Sequence, residues 1–373
     1  RGFSTQLNYD KVMVSTAVAR SDMAGADFAE TLNGNISGIN GILAAYGITG
    51  IALREWQLVD GRVLPVGDVW TSGEIDASIF ASGTGTAEDP YIINTAEQLV
   101  KFAGSLNDKI DYTDKFVKLG SDIAVSGEWS PIGGSEYLFN GSFDGDGHSI
   151  TGLALGTKEK AYELDKENLY IGLFGVLGPK SVVKNVKVDV AFYTHYAATA
   201  YVAGIAGVMQ GSTVNGNFTG AVIDNCSVSG VISHAADKGN QFVGGIVGMQ
   251  YKGAVINSSS TINASCVVKA GDLVEVGGIA GLNNRGLVAN SKADCVIYGS
   301  GNRENGNEGM AVVSGLVACN AGALVNCYAS GDISTEEHST YAGMVSGSDE
   351  FGKATSEDST ILQAPFYASL RTP

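Results

Sequence analysis

The sequence predicts an all-β fold in which short strands wind into the stacked coils of a β-solenoid. A Gly-rich phrase such as GGIVG recurs from about residue 170, with its second glycine at Gly175, Gly207, Gly248 and Gly281, at intervals of 32, 41 and 33 residues. Each unit holds Val- and Ile-rich runs of about four to six residues, broken by Gly, Asn and Ser, which are typical of strands. No helical period separates these runs. A propeller blade would need about four strands and more aromatic residues, and a leucine-rich repeat would need a Leu ladder.

The first 80 residues lack the repeat. Phe28, Leu32 and Ile36 are spaced by four residues and predict a helix. The stretch LREWQLVDGRVLPV predicts a hairpin that turns at Asp60-Gly61, with Trp56 and Leu58 packed on one side. A linker-like stretch follows, and three apolar residues could anchor it: Ile75, Ile79 and Phe80.

Residues 84–153 predict a cap for the solenoid, because the end of a stack exposes apolar core and unpaired strand edges. Thr95 and Gln98 form a capping box at the start of a short helix. Its apolar face consists of Leu99, Phe102, Ala103 and Leu106. Two strand runs follow in KFVKLGSDIAVSGEW, and the next stretch directs three side chains inward: Phe139, Phe143 and Ile150.

Within the repeats, each residue type has a physical role. Small residues let neighbouring backbones approach and turn a corner. One apolar residue per phrase should point inward and form a ladder: Ile205, Ile246, Ile279 and Leu316. One asparagine per unit tolerates left-handed backbone and could stack into a second ladder: Asn185, Asn225, Asn257, Asn290 and Asn326.

Composition excludes several classes of protein. Charged residues are 17% of the chain, too few for a coiled coil, and 51 glycines with only 6 prolines exclude collagen. The net charge of −16 argues against nucleic-acid binding and against attraction to an anionic membrane. The longest uncharged apolar run, residues 197–209, is too short for membrane insertion. The sequence has no signal pattern, so we expect any export signal or anchor to lie outside it.

The cysteines predict buried free thiols and not a disulfide framework. Their number is odd, no CxxC pair occurs, and all lie within the stacked region: Cys226, Cys266, Cys295, Cys319 and Cys327. Cys226 and Cys327 occupy the same place in the phrase, but their units are not sequence neighbours. A bond between them is therefore not expected.

The phrase IGLFGVLGPKSVVKNVKV, together with GTAEDPYIINTAEQLVKFAGSLN and LFNGSFDGDGHSITGL, resembles the GLUG motif of bacterial surface proteins. Such repeats occur in adhesin-like proteins and beside the protease domain of immunoglobulin A-cleaving metallopeptidases. The resemblance covers about residues 84–350 and implies a right-handed parallel β-helix that is secreted or surface-attached. It also implies a small α+β segment, residues 1–80, that closes a preceding module and includes the linker, followed by a GLUG-type β-helix module at residues 81–373.

The sequence predicts no catalytic, cofactor-binding or metal site. The zinc motif HExxH of the metallopeptidases is absent, because the four histidines, His148, His195, His234 and His338, do not match it. Alternating Asp144, Asp146 and His148 in a Gly-rich turn could hold calcium, although the spacing is not that of an EF-hand. Three tyrosines could stack on sugars or cover coil edges: Tyr193, Tyr196 and Tyr201.

The sequence therefore favours a non-catalytic segment of a large bacterial cell-surface or extracellular protein. It would act as a rigid stalk, or as an adhesive segment that assembles into an array or fibre. The expected partners are neighbouring modules or copies of itself placed end to end, with host or matrix glycans or proteins as further candidates. The order of the segments predicts similar modules on both sides. The alternative is a glycan-binding or glycan-cleaving β-helix enzyme, which a groove of converging carboxylates and aromatic residues would favour.

Overall fold

The structure is a computed structural model that describes residues 26–45, 55–59, 62–65, 73–165, 169–214, 217–269, 273–301, 310–335, 341–343, 346–349 and 368–370. The chain forms two compact units, Arg1–Ser72 and Gly73–Pro373. Residues 73–80, predicted as linker, belong to the second unit, where Ile79 and Phe80 are buried and Ile75 packs against the core.

The first unit contains the predicted helix and hairpin. Its elements are α1 (Ala26–Ala45), β1 (Trp56–Val59) and β2 (Arg62–Pro65). The two strands are antiparallel with Val59 opposite Arg62, as the hairpin requires, while Asp60 and Gly61 lie outside the described residues. The prediction that Leu58 packs was wrong, because its side chain is 41% exposed. The side chain of Trp56, the other residue of this prediction, lies outside the described residues.

The second unit begins with the cap. Its elements are a 3₁₀ turn (Ala77–Ile79), β3 (Tyr91–Ile93), α2 (Ala96–Asn107), β4 (Phe116–Leu119), β5 (Ile123–Ala124), β6 (Ser142–Asp144), β7 (Ser149–Leu155) and β8 (Tyr162–Glu163). Thr95 Oγ1 accepts a hydrogen bond from the Gln98 amide at 3.2 Å, and Gln98 Oε1 accepts from the Asn94 amide at 2.8 Å. In a capping box the Gln98 side chain would accept from the amide of Thr95, whereas here it accepts from the amide of the preceding residue, Asn94. The four predicted apolar residues of α2 are all buried.

The remaining strands form the coils. They are β9 (Tyr170–Ile171), β10 (Phe174–Leu177), β11 (Val182–Lys184), β12 (Lys187–Tyr196), β13 (Ala200–Ala203), β14 (Ala206–Met209), β15 (Gly211–Val214), β16 (Asn217–Gly220), β17 (Val222–Asp224), β18 (Ser227–Ala236), β19 (Gln241–Gly244), β20 (Val247–Tyr251), β21 (Ala254–Ile256), β22 (Ser259–Val268), β23 (Leu273–Gly277), β24 (Ala280–Ala289), β25 (Lys292–Gly301), β26 (Met310–Ser314), β27 (Val317–Val325), β28 (Tyr328–Thr335), β29 (Tyr341–Gly343), β30 (Ser346–Asp349) and β31 (Ala368–Leu370).

Three parallel sheets run along the stack, which confirms the β-solenoid. Sheet I follows the order β10-β14-β20-β24-β21-β17-β11-β6-β4-β3, with β27 paired to β24 and β30 paired to β27. Sheet II follows β31-β28-β25-β22-β18-β12-β7-β5, with β8 beside β12. Sheet III follows β29-β26-β23-β19-β13-β9. Strands β15 and β16 pair antiparallel and form a separate two-stranded sheet.

The predicted apolar ladder is confirmed. Ile205, Ile246, Ile279 and Leu316 are fully buried. Their backbones are also bonded from coil to coil, since Ile246 N donates to Ile279 O at 2.9 Å and Ile279 N donates to Leu316 O at 2.8 Å. Phe139, Phe143 and Ile150 are also fully buried, as predicted.

The asparagine ladder is confirmed as well, in two runs. All five residues have left-handed backbone, with φ between 48° and 55°. In the first run, Asn225 Nδ2 donates to Asn185 Oδ1 at 2.8 Å and Asn185 Nδ2 donates to Asp144 Oδ1 at 3.0 Å. In the second run, Asn326 Nδ2 donates to Asn290 Oδ1 at 2.9 Å, and Asn290 Nδ2 donates to Asn257 Oδ1 at 2.7 Å. The run ends where Asn257 Nδ2 donates to Asp224 Oδ1 at 2.8 Å.

Candidate ligand-binding groove

A groove of about 530 Å³ opens near the capped end of the second unit. It lies between the end of α2, the loop after Trp129 and strand β9. Its lining is Asn107, Lys109, Ser130, Pro131, Gly133, Gly134, Ser135, Glu136, Tyr137, Asp165 and Tyr170. These residues come from three separate segments that the fold brings together, and most carry hydrogen-bonding side chains.

The end of α2 forms the first wall. Lys109 follows the helix with φ 75°, and its amide donates to Leu106 O at 3.0 Å, which closes the helix with a left-handed residue. Asn107 Nδ2 donates to Pro131 O at 3.3 Å and to Ser130 Oγ at 3.4 Å. These contacts hold the helix end against the loop on the other side of the groove.

The loop after Trp129 forms the second wall. Trp129 is buried and its Nε1 donates to Gly172 O at 2.9 Å, which anchors the loop to the next coil. Gly133 has φ 69°, and a Cβ there would lie 2.5 Å from Tyr137 O, so the turn requires glycine. The Lys109 ammonium lies 5.6 Å from the centre of the Tyr137 ring, and its hydrogen bond with Tyr137 raises the pKa of Lys109.

Tyr170 forms the third wall and belongs to a row of stacked rings on sheet III. The Tyr170 and Tyr201 ring centres are 5.2 Å apart with the planes 10° from parallel. Tyr201 and Phe242 follow at 5.0 Å and 6°. The in-register pairing of β9, β13 and β19 produces this stack, because each ring lies beside its counterpart in the next coil. Among the described strands, sheet III ends at β9, so Tyr170 is the terminal ring of the row.

The fourth position of this row is a carboxylic acid. Glu275 pairs with Phe242 on one side and with Val312 on the other. Its side chain is only 3% exposed, and its Oε2 has no hydrogen-bond partner among the described residues. Burial raises the pKa of Glu275 to about 8. The acid is therefore neutral over much of the range in which an exposed carboxyl would be charged.

The three tyrosines singled out in the sequence lie in different places. Tyr201 is the second ring of the row on sheet III, whereas Tyr193 and Tyr196 lie on β12 of sheet II. Tyr196 is buried and Tyr193 is half-buried. Only Tyr201 is thus connected to the groove, through its contact with Tyr170.

The predicted calcium candidates are engaged with other side chains. Lys184 Nζ lies 3.2 Å from Asp144 Oδ2, and Lys118 Nζ lies 2.9 Å from Asp146 Oδ2. His148 Nδ1 instead lies 3.4 Å from an oxygen of Asp122. Partial burial alone would raise the pKa of Asp144, but hydrogen bonds from Asn185, the Asp146 amide and Lys184 outweigh it and lower that pKa. Within the described ranges, no three His, Cys, Asp or Glu side chains cluster in a way that could hold a metal ion.

The cysteines are free thiols, and four of the five are buried as predicted, with Cys319 only half-buried. Burial raises the pKa of Cys226 to about 12 and raises that of Cys266 further. Beside Cys266 in sheet II lies the buried His234, whose two ring nitrogens bond Thr194 Oγ1 at 2.8 Å and Gln241 Oε1 at 2.9 Å. Burial lowers the pKa of His234 to about 4, so this network is a neutral, structural one.

Sequence reasoning missed the groove. Its side chains lie outside the repeated phrase and are separated along the chain, so no spacing indicates that they meet. The one available signal was Tyr170, just before the first Gly of the phrase, a place that Tyr201 and Phe242 take in the later units. The groove brings together carboxylates (Glu136, Asp165) and aromatic rings, which is the feature that the sequence analysis associated with glycan recognition.

Comparison with known proteins gives partial matches. No family model matches the chain. A Gly-rich membrane protein of Evansella cellulosilytica is 32% identical over 163 residues, which are 42% of this chain and 16% of that protein. Halomucin of Haloquadratum walsbyi is 27% identical over 195 residues, which are 49% of this chain and 2% of that protein. The chain thus matches only a small fraction of the length of these relatives. A crystal structure named as an immunoglobulin A1 protease of Bacteroides ovatus aligns with a TM-score of 0.47 and 21% identity, over 74% of this chain and 88% of that one.

Proposed function

We propose that this chain is a non-catalytic, GLUG-type stalk segment of a bacterial surface or extracellular protein. The observation that carries the proposal is the coil-to-coil parallel pairing of the second unit, in which three sheets each connect strands of successive coils. Each coil is bonded to the next through the backbone at every sheet, so bending the stack would break many hydrogen bonds together.

The side chains favour rigidity in the same way. The asparagine runs connect successive coils through side-chain hydrogen bonds. A second row of side-chain amides, which is buried, connects them at another place. In that row Gln250 Nε2 donates to Asn283 Oδ1 at 2.9 Å and Asn283 Nδ2 donates to Asn320 Oδ1 at 2.7 Å. All three amides are fully buried, so each bond would be costly to leave unmade. Such polar rows fix the register of neighbouring coils, which a spacer requires.

The relatives are consistent with a surface location. One carries the name of a Gly-rich membrane protein and another that of halomucin, and both are much longer than the matched segment. Neither of the helices in the described part of this chain has the length and apolar character to cross a bilayer. We propose that the segment is carried by a longer surface protein, with neighbouring modules or further copies placed end to end and with glycans or proteins of the surroundings as adhesive partners.

The stalk role is tested by measuring the stiffness of the stack. Spin labels at T151C on β7 and Y328C on β28 would be separated by five strand spacings, or about 24 Å along the axis. We expect pulsed electron spin resonance on the full chain to give one narrow distance distribution near this value. The unsubstituted protein, with its native cysteines, is the labelling control. A broad distribution under native conditions would contradict a rigid stalk.

A further inference from the structure

We propose that the groove beside α2 binds a neutral oligosaccharide, with one sugar ring stacked on Tyr170 and its hydroxyls bonded to the surrounding polar side chains. This proposal does not rest on the stalk role, because it concerns one end of the second unit and not the stack. A stalk could lack the binding site, and a flexible protein could have it.

The first support is the Tyr170 ring, which forms a flat platform at the groove. Tyr201 covers one face of the Tyr170 ring, so a ligand in the groove can meet only the opposite face or the edge. No further strand of the described chain pairs with β9 on that side of sheet III. The stack holds the ring in place before a ligand arrives, which reduces the entropy lost on binding. A flat, amphipathic ring that is already ordered suits the C–H face of a pyranose.

The second support is the set of polar groups around the platform. Glu136 and Asp165 carry carboxylates, which only accept hydrogen bonds, and both residues are exposed at the groove. Asn107 donates through Nδ2 to the loop, and the oxygen of its side-chain amide is an acceptor. Ser130 and Ser135 supply hydroxyls. Sugar hydroxyls both donate and accept, so they match this mixture better than an apolar or a purely anionic ligand does.

The charge and the volume of the groove indicate which class of ligand it suits. The described lining of the groove includes the carboxylates of Glu136 and Asp165 and the ammonium of Lys109, and the whole chain has a net charge of −16. Anionic polysaccharides and phosphates would therefore be repelled. The volume of about 530 Å³ lies within the range of roughly 300–1,000 Å³ typical of ligand sites. A short neutral oligosaccharide satisfies both conditions.

The test uses isothermal titration of the full chain with hexasaccharides of glucose, mannose, galactose and N-acetylglucosamine, and with hexagalacturonate as the anionic counterpart. We expect at least one neutral hexasaccharide to bind and hexagalacturonate not to bind. Tyr170→Ala should weaken binding about tenfold or more, whereas Tyr170→Phe, which keeps the ring, should stay within about threefold of the wild type.

Two further variants separate binding from folding. Glu136→Gln and Asp165→Asn change exposed side chains, so they leave the solenoid folded and should each weaken the same hexasaccharide severalfold. Asp294→Asn, on sheet II and outside the groove, is the matched control and should bind like the wild type. The proposal is overturned if no neutral hexasaccharide binds, or if binding persists unchanged in folded Tyr170→Ala and in both carboxylate variants.

Discussion

The buried acid on sheet III gives a stability prediction with a definite pH dependence. Glu275→Gln replaces the carboxyl with a neutral side chain of nearly the same shape. Burial raises the pKa of Glu275 from 4.5 to about 8 in the folded protein, and the unfolded chain has no such burial. The folded state therefore holds a proton that the unfolded state has released, and the stability of the wild type falls as the pH rises from about 4.5 to about 8.

The size of the effect follows from the same two pKa values. One pKa unit corresponds to about 1.4 kcal/mol, so the full loss is on the order of 5 kcal/mol and is reached near pH 8. Glu275→Gln removes this term, because the amide does not ionise. We expect the variant and the wild type to have nearly equal free energies of unfolding at pH 4.5, and the variant to be more stable by a few kcal/mol at pH 8.

The assay is urea unfolding followed by circular dichroism at pH 4.5, 6, 7 and 8. Other titrating groups are common to both proteins and cancel in the difference between them. Glu128→Gln, at an exposed carboxyl of the same unit, is the matched control for the replacement of one glutamate by glutamine. A difference between Glu275→Gln and the wild type that is equal at pH 4.5 and pH 8 would refute the assignment of a buried, neutral Glu275.

Three further predictions concern the stack. Ile246→Asp buries a charge in the apolar ladder and should cost more than about 4 kcal/mol in calorimetry, whereas Val296→Asp, at a position 46% exposed, should leave the melting temperature within a few degrees. An unchanged melting temperature in Ile246→Asp would contradict the ladder. Cys226 and Cys266 should resist a thiol reagent in native buffer and react only on unfolding, because burial suppresses their thiolates; rapid native modification mapped by mass spectrometry would argue against their burial. Asn257→Ala should cost about 2 kcal/mol in urea unfolding, since it loses the ladder bonds and strains the left-handed backbone, and Asn257→Gly should cost less. Equal losses in the two variants would show that backbone strain plays no part.

The sequence predicted the features that repeat, because stacking imposes the same environment on each coil. Ile205 and Ile246 occupy equivalent core positions, and the five asparagines occupy equivalent corners, so a fixed phrase in the sequence reports a fixed place in the fold. The groove could not be predicted in this way. Tyr137 and Tyr170 both line it, but Tyr137 lies in a loop that has no counterpart in the repeated phrase. Glu275 was missed for a related reason, since a single acid in a row of aromatic residues looks like an exposed substitution until its burial is known.

The asparagine runs also give the solenoid a direction. Each side-chain amide donates toward the N-terminal coil, and both runs stop at a carboxylate, Asp144 or Asp224, which can accept but cannot pass the bond on. The coil of Asp224 also carries Asn225, so the same coil extends the first run through Asn225 and starts the second run at Asp224. Units that look interchangeable in the sequence therefore have a fixed order along the stack, because the side-chain hydrogen bonds of the asparagine runs all point in one direction. Exchanging a unit that carries the aspartate for one that lacks it should disturb the coil that follows and leave the coil before it intact.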